Sequence, residues 1–477
     1  MGAVLPKPVG KQAEVVYITE SGHTIVLGVA GSGKTVMAVH RARYLSEVGE
    51  TAGSTLLVTF NGALTEYLRS VVGPSPSIDV EQYHLFARRY MRDLGTEVRI
   101  CGNERRTELV EKALNDIRRG SSKQRAVLDR SLGFFLEEFD WLTNHGVDLV
   151  EYVSGTRERT GRRTALMPDD RAEVRKVYNR YLYHRRRAGH THDWADLASA
   201  LVEKLASNGG TPHPYRHVVI DEGQDFSPQM IRSLVAAIPD QGSLTFFGDY
   251  AQQIYGTRIP WRSLGLRVSR VVRFEKNYRN TRQIARLAKA ISERWDVGDE
   301  VDLLEPDEPE LDGKLPYLAR IAHGGDQIAW AAKFASNLVA DRRKRTRVPT
   351  RRVGVLLPSP DHVEQFAAQP SRGASVSRIH KGMRKWPVGP QIFYGLYADA
   401  RGLEFDAVIL PCCDEDCLVP PAAVQVLGHE EACVRRAREL YVAITRARDE
   451  LVLLHGGSPS SLLPEPADGI YEQVDLA

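Results

Sequence analysis

The chain has 477 residues, 42 % hydrophobic and 26 % charged, a balance that fits a globular protein and excludes a disordered, collagenous or fibrous one. Length alone predicts about three domains, and five cysteines are too few for a disulfide scaffold. No apolar stretch approaches the roughly 18 residues of a spanning helix and MGAVLPKPVG is not a signal peptide, so a cytoplasmic protein with no membrane partner is expected, while a net charge of +3 leaves other partners open.

Thr24 to Leu27 is a short apolar strand, followed by a glycine-rich turn and a helix from Thr35 to Leu45. Thr55 to Phe60, Val218 to Ile220 and Leu244 to Phe247 read as further buried strands, each ending in a polar or glycine-containing turn. Strands separated by helices imply a parallel α/β sheet whose ligands lie at the carboxyl ends of the strands. Between Tyr90 and Ser207 the pattern is helical, with Leu109, Ala113 and Ile117 on one face and Val174, Val177, Tyr178, Tyr181 and Leu182 on another. A second α/β portion starts near Arg267, with strands at Val353 to Leu357 and Ala407 to Leu410 and helices at His362 to Phe366 and Ala432 to Ile444.

Two local patterns carry chemistry. Gly28-Val29-Ala30-Gly31-Ser32-Gly33-Lys34-Thr35 is a P-loop: its glycines let backbone N–H groups surround phosphate oxygens, Lys34 balances their charge, and Thr35 reaches Mg²⁺. After the strand His217 to Ile220 come Asp221 and Glu222, adjacent carboxylates suited to nucleotide hydrolysis. Asp221 would hold Mg²⁺ through water, and Glu222 would orient and deprotonate the attacking water.

With these two patterns in place, the chain resembles superfamily 1A helicases of the UvrD, Rep and PcrA type through nearly its whole length. Gln12, 22 residues before Lys34, is similar to the family's adenine-reading glutamine. Thr59-Phe60-Asn61 resembles motif Ia and Gln82-Tyr83-His84 the Thr-Phe-His segment, which implies strand contacts for Phe60, Asn61, Tyr83 and His84. Asp193-Trp194-Ala195-Asp196-Leu197 and Asp221-Glu222-Gly223-Gln224-Asp225 resemble the next two segments. The Gly248 to Tyr255 segment resembles motif III, which implies γ-phosphate sensing by Gln252 and base stacking by Tyr255; Thr257 stands where a second stacking tryptophan is common, and Trp261 is a replacement for it. Asn277-Tyr278-Arg279 resembles motif IV, with Tyr278 against adenine and Arg279 on the γ-phosphate. Arg401 to Phe405 resembles motif V, with Glu404 at the ribose, and Tyr441 to Ala447 resembles motif VI, with Arg446 as arginine finger.

The resemblance implies two RecA-like α/β lobes: the first over 1–90 and 206–266, interrupted by a helical insert (1B) over 91–205, and the second over 267–457, followed by an acidic tail over 458–477. The implied cofactors are ATP and Mg²⁺. The implied activity is ATP hydrolysis driving 3′ to 5′ movement on single-stranded DNA, with RNA as the alternative strand, and a nuclease is an example of a protein partner. Only 122 residues separate Arg279 from Arg401, so the family's 2B domain is expected to be missing, with Lys381 to Pro390 left at its insertion point. A second reading is therefore an ATP-gated regulatory subunit of a nuclease, defence or polymerase complex without intrinsic unwinding.

Three weaker signals read as structure. Arg342 to Arg352 and the run Asp296 to Asp312, which has nine acidic and no basic residues, read as solvated surface. Cys412, Cys413, Cys417 and Cys433 fall within 22 residues, but adjacent cysteines on a strand point to opposite faces, so they read as incidental thiols.

Overall fold

The computed structural model describes residues 5–18, 22–48, 52–120, 125–156, 159, 165–207, 213–249, 261–295, 309, 311–321, 326–340, 352–370, 373–380, 382–387, 389 and 391–476. The first strands in chain order are β1 (His23–Gly28), β2 (Thr55–Thr59) and β3 (Ile78–Gln82). Next come β4 (Ile100–Cys101) and β5 (His192–Asp193), which pair with each other beneath the helical insert. The chain then returns as β6 (His217–Ile220), β7 (Ser243–Gly248) and β8 (Val268–Phe274). Six of these form one parallel sheet in the order β3-β2-β6-β7-β1-β8. Every residue of β1, β2, β6 and β7 is buried, as expected of central parallel strands covered by helices on both faces.

The second lobe contributes β9 (Tyr317–Ile321), β10 (Arg352–Leu357), β11 (Val376–Arg378), β12 (Gln391–Leu396), β13 (Phe405–Leu410), β14 (Ala447–His455) and β15 (Glu472–Leu476). They form a parallel sheet in the order β11-β12-β10-β13-β14-β9-β15. Both sheets are of the α/β type expected. No helix among the described residues is long and apolar enough to cross a membrane.

Three boundaries differ from expectation. β8 completes the first sheet, so that lobe runs to Phe274 and not to 266. The insert's own core runs from Cys101 to Ala188, whereas Leu197, Leu201 and Leu205 pack with Phe86 and Leu234 in the first lobe. The expected acidic tail is no solvated segment: β15 pairs with β9, and Leu462, Leu463 and Tyr471 are buried in the core. Its acidic side chains line an edge strand while its leucines face inward, and composition alone hides that division. The basic run at 342–351 and nearly all of the acidic run at 296–312 lie outside the described residues.

Candidate nucleotide site at the lobe junction

The P-loop joins β1 to the helix Lys34–Glu47. Gly31 and Gly33 have φ of 79° and 83°, a left-handed backbone that side chains rarely adopt. A Cβ on Gly31 would lie 2.0 Å from Asn277 Oδ1. The P-loop is thus in direct contact with the second lobe, and the Tyr278 N–H donates to the Gly31 carbonyl at 2.9 Å. Lys34 is buried; its ammonium donates to the Gly28 and Val29 carbonyls at 2.8 Å each and faces Asp249 at 3.4 Å. Gln12 donates to the Ser32 carbonyl at 3.0 Å and accepts from the Val9 N–H at 3.3 Å, which fixes it against the P-loop.

β6 delivers the acidic pair. Glu222 adopts φ 54°, and Gln224 donates to its carboxylate. Asp221 is 1 % exposed. Burial, then the charge of Glu222, push its carboxyl up to about 7, against weaker pulls from Thr35, the Glu222 backbone and Lys34. Neither buried Asp221 oxygen has a well-formed hydrogen bond. A buried carboxylate so poorly satisfied, beside the Thr35 hydroxyl, fits a hard divalent cation such as Mg²⁺.

The facing wall comes from the second lobe. Arg446, at the end of the helix His429–Ile444, is 1 % exposed; its guanidinium donates to the Val442 carbonyl at 2.9 Å and to the Thr445 hydroxyl at 3.0 Å. Burial, then the Arg279 cation, draw it down to about 10. Arg279 donates to Glu404 at 2.5 Å. Burial raises the Glu404 carboxyl, but Arg279, Arg448 and Arg446 outweigh it and hold Glu404 below its usual range. Arg279 and Glu404, expected at the γ-phosphate and the ribose, therefore pair with each other. Tyr278 is 51 % exposed, with Lys276 5.7 Å from its ring centroid.

One small cavity gathers Ala30, Gly31, Ser32, Gly33, Lys34, Thr35, Glu222, Arg279 and Arg446. Backbone N–H groups, a lysine and two guanidiniums around one carboxylate can hold a polyphosphate and activate water beside it. Gln252 and Tyr255 lie outside the described residues.

The expected strand contacts divide. Phe60 and His84 are half-buried, their rings edge-on at 5.3 Å, and Trp194 meets His84 at 5.5 Å. These rings form one aromatic cluster at the carboxyl ends of β2 and β3. Tyr83 is a correction: it is fully buried, its hydroxyl shares a hydrogen bond with Ser233 at 2.7 Å, and its ring cannot reach a base. Asn61 also differs, since it caps the helix Gly62–Val72 through Ala63 and donates to the Asp399 and Arg401 carbonyls at 3.0 and 3.3 Å. It links the lobes. Trp261 is half-buried against Phe246, centroids 4.9 Å apart, which leaves only part of its ring for a base.

Residue spacing missed several connectors. Asn277 Oδ1 accepts from the N–H groups of Arg279 and Asn280 at 2.9 and 3.2 Å. Asn280 reaches the Thr445 carbonyl at 3.1 Å and the Ala447 carbonyl at 2.5 Å, so it ties the Arg279 segment to the Arg446 segment. Arg401 pairs with Asp225 across the lobes at 2.6 Å. The asparagines and arginines clustered around motif IV, from Asn277 to Arg282, were the available signal.

Comparison with known proteins shows the family. The UvrD/REP helicase N-terminal domain family matches residues 10–263 and the UvrD-like helicase C-terminal domain family matches residues 398–455. The ATP-dependent DNA helicase UvrD2 of Mycobacterium tuberculosis is 28 % identical over 305 residues, 59 % of this chain and 42 % of the relative. Escherichia coli DNA helicase IV is 24 % identical over 503 residues, 95 % of this chain and 68 % of the relative, and E. coli DNA helicase II is 25 % identical over 314 residues. The chain thus spans about two fifths of the length of the UvrD2 relatives. With both domain families matched in order, the first over more than half the chain, the protein belongs to the UvrD/REP helicase family.

Proposed function

We propose that the protein is a nucleic-acid-stimulated ATPase that moves 3′ to 5′ along single-stranded DNA. The observation that carries this reading is the single cavity in which Lys34, Thr35 and Glu222 of one lobe face Arg279 and Arg446 of the other. Phosphates entering it would draw Lys34 from the Gly28 and Val29 carbonyls. Glu222, oriented by Gln224, takes the proton of the attacking water. Thr35 and Asp221 would hold Mg²⁺, which would supply charge neutralisation at the phosphates. Arg446 and Arg279 stabilise the charge developing on the transferred group, a contribution of about 10³ to 10⁵ in rate for an arginine finger. Gln12 and the exposed Tyr278 ring would take the adenine. Both arginines come from the second lobe, so turnover requires closed lobes, and repeated closure across a strand gripped by Phe60, His84 and Trp194 gives movement. Stacking is worth about 1 to 3 kcal/mol per base and tolerates any sequence.

ATPase assays titrated with single-stranded DNA, single-stranded RNA and duplex, across a salt series, test this. Strong stimulation by single-stranded DNA that weakens with salt is expected. Equal turnover with and without strand would contradict it.

A further inference from the structure

The cysteine cluster gains a member that sequence spacing could not supply. His362, Cys412 and Cys417 each present one donor atom, and these three atoms all lie within 4.8 Å of one another. His362 sits on the helix Pro360–Ala367 after β10, and Cys412 follows β13; the two strands are hydrogen-bonded neighbours, so both arms leave the sheet at adjacent carboxyl ends. Cys417 lies on the short helix Glu415–Leu418. Cys413 takes no part, since its thiol is fully buried and directed at the Leu410 carbonyl, and Cys433 neighbours His429 instead.

The surroundings hold this geometry. Cys412 has φ 63°, and among the described residues the only other non-glycine residue with positive φ is Glu222 in the nucleotide site. Such a backbone persists only where its surroundings fix it, which is common at ligand sites. The Cys412 N–H donates to Gln327 Oε1 at 2.8 Å; Gln327 in turn donates to Asp414, whose other oxygen accepts the N–H groups of Gly456 and Gly457 at 2.8 and 2.6 Å. Ser359 hydrogen-bonds His362 Nδ1 at 2.8 Å, which orients the imidazole and leaves Nε2 for the cysteines.

We propose that His362, Cys412 and Cys417 form a zinc site with three protein ligands and a fourth position open to water. Two thiolates and an imidazole suit Zn²⁺ and not the hard cation of the nucleotide site. Tetrahedral zinc needs sulfurs about 3.8 Å apart given Zn–S of about 2.3 Å, so the donors need to close by about 1 Å or less. The ion would join the start of the helix Pro360–Ala367 to the loop after β13. Arg436 bonds both sides of this junction, donating to the Pro358 and Leu418 carbonyls at 3.1 and 2.7 Å. It lies on the helix that ends beside Arg446, so the zinc would brace the support of the proposed arginine finger.

Metal analysis of the full chain, followed by chelation and titration with Zn²⁺ and Co²⁺, tests the site. The expected result is one zinc per chain, a thiolate-to-cobalt charge-transfer band, and a higher melting temperature on zinc addition, all lost in Cys417→Ser and His362→Ala and kept in Cys433→Ser. Failure of the folded wild-type chain to take up zinc or show the cobalt band would overturn the proposal, whatever the variants do. So would unchanged uptake by the variants, or a Cys412–Cys417 disulfide with no metal.

Discussion

His23 shows how one buried side chain gives the fold a pH dependence. At the start of β1 its Nδ1 accepts the Leu244 N–H at 3.1 Å, a bond that exists only while that nitrogen is unprotonated. Burial, and then the Arg267 cation, lower the imidazole to about 4 from an ordinary 6.5. A depressed folded value means that His23 contributes stability above pH 6.5 and that this is lost as pH falls toward 4. Melting temperatures measured across that window should fall for the wild type and fall less for His23→Gln; parallel curves would remove His23 from the cause. The same scale explains what was legible. The P-loop and Asp221-Glu222 could be read because local spacing and glycine conformation fix their chemistry. Tyr83 was misread because side-chain direction at the junction of β3 with the next helix depends on packing against Ser233, which no three-residue pattern records.

Among the elements, the segment from Asp399 to Glu404 joins the lobes through several contacts. Asn61 holds its carbonyls, Arg401 pairs with Asp225, and Gly402 turns at φ 72° against Leu64 and Glu222. A Cβ on Gly402 would lie 2.4 Å from Leu64 Cδ2 and 3.2 Å from Glu222 Oε1. Gly402→Ala should therefore displace Glu222 from the facing arginines and lower kcat for ATP more than it changes KM. A misplacement of about 1 Å can cost about 10²-fold. Steady-state kinetics would check this, and an unchanged kcat would contradict a catalytic role for lobe contact. The segment resembles motif V in sequence, but its contact with the first lobe emerged only in three dimensions. Asn280 escaped notice for a related reason, because it acts through the Thr445 and Ala447 carbonyls, more than 160 residues away. β15 was hidden by an acidic edge-strand composition.

At the scale of the whole molecule, the connection between two strands of the second sheet reaches the first lobe. β11 and β12 are joined by residues 379–390, where the described part holds Trp386. Its ring stacks on Phe393 at 4.6 Å and meets Tyr67 of the first lobe edge-on at 5.4 Å. The connection at the expected 2B insertion point therefore packs across the lobe junction. If, as proposed, no separate 2B body stands there, displacement of a block from a single strand should be efficient, and unwinding of a long blunt duplex by this chain alone should be weak. Strand-displacement assays on both substrates compare the two, and robust blunt-duplex unwinding would contradict the reading.

The central claim is a composite ATP site in which Glu222 is the base between two lobes. The most direct measurement is single-turnover ATP hydrolysis by Glu222→Gln in the presence of single-stranded DNA, with nucleotide and strand binding measured on the same protein. The account predicts that hydrolysis falls by at least about 10² while both ligands still bind. Hydrolysis at the wild-type rate, with binding intact, would contradict it.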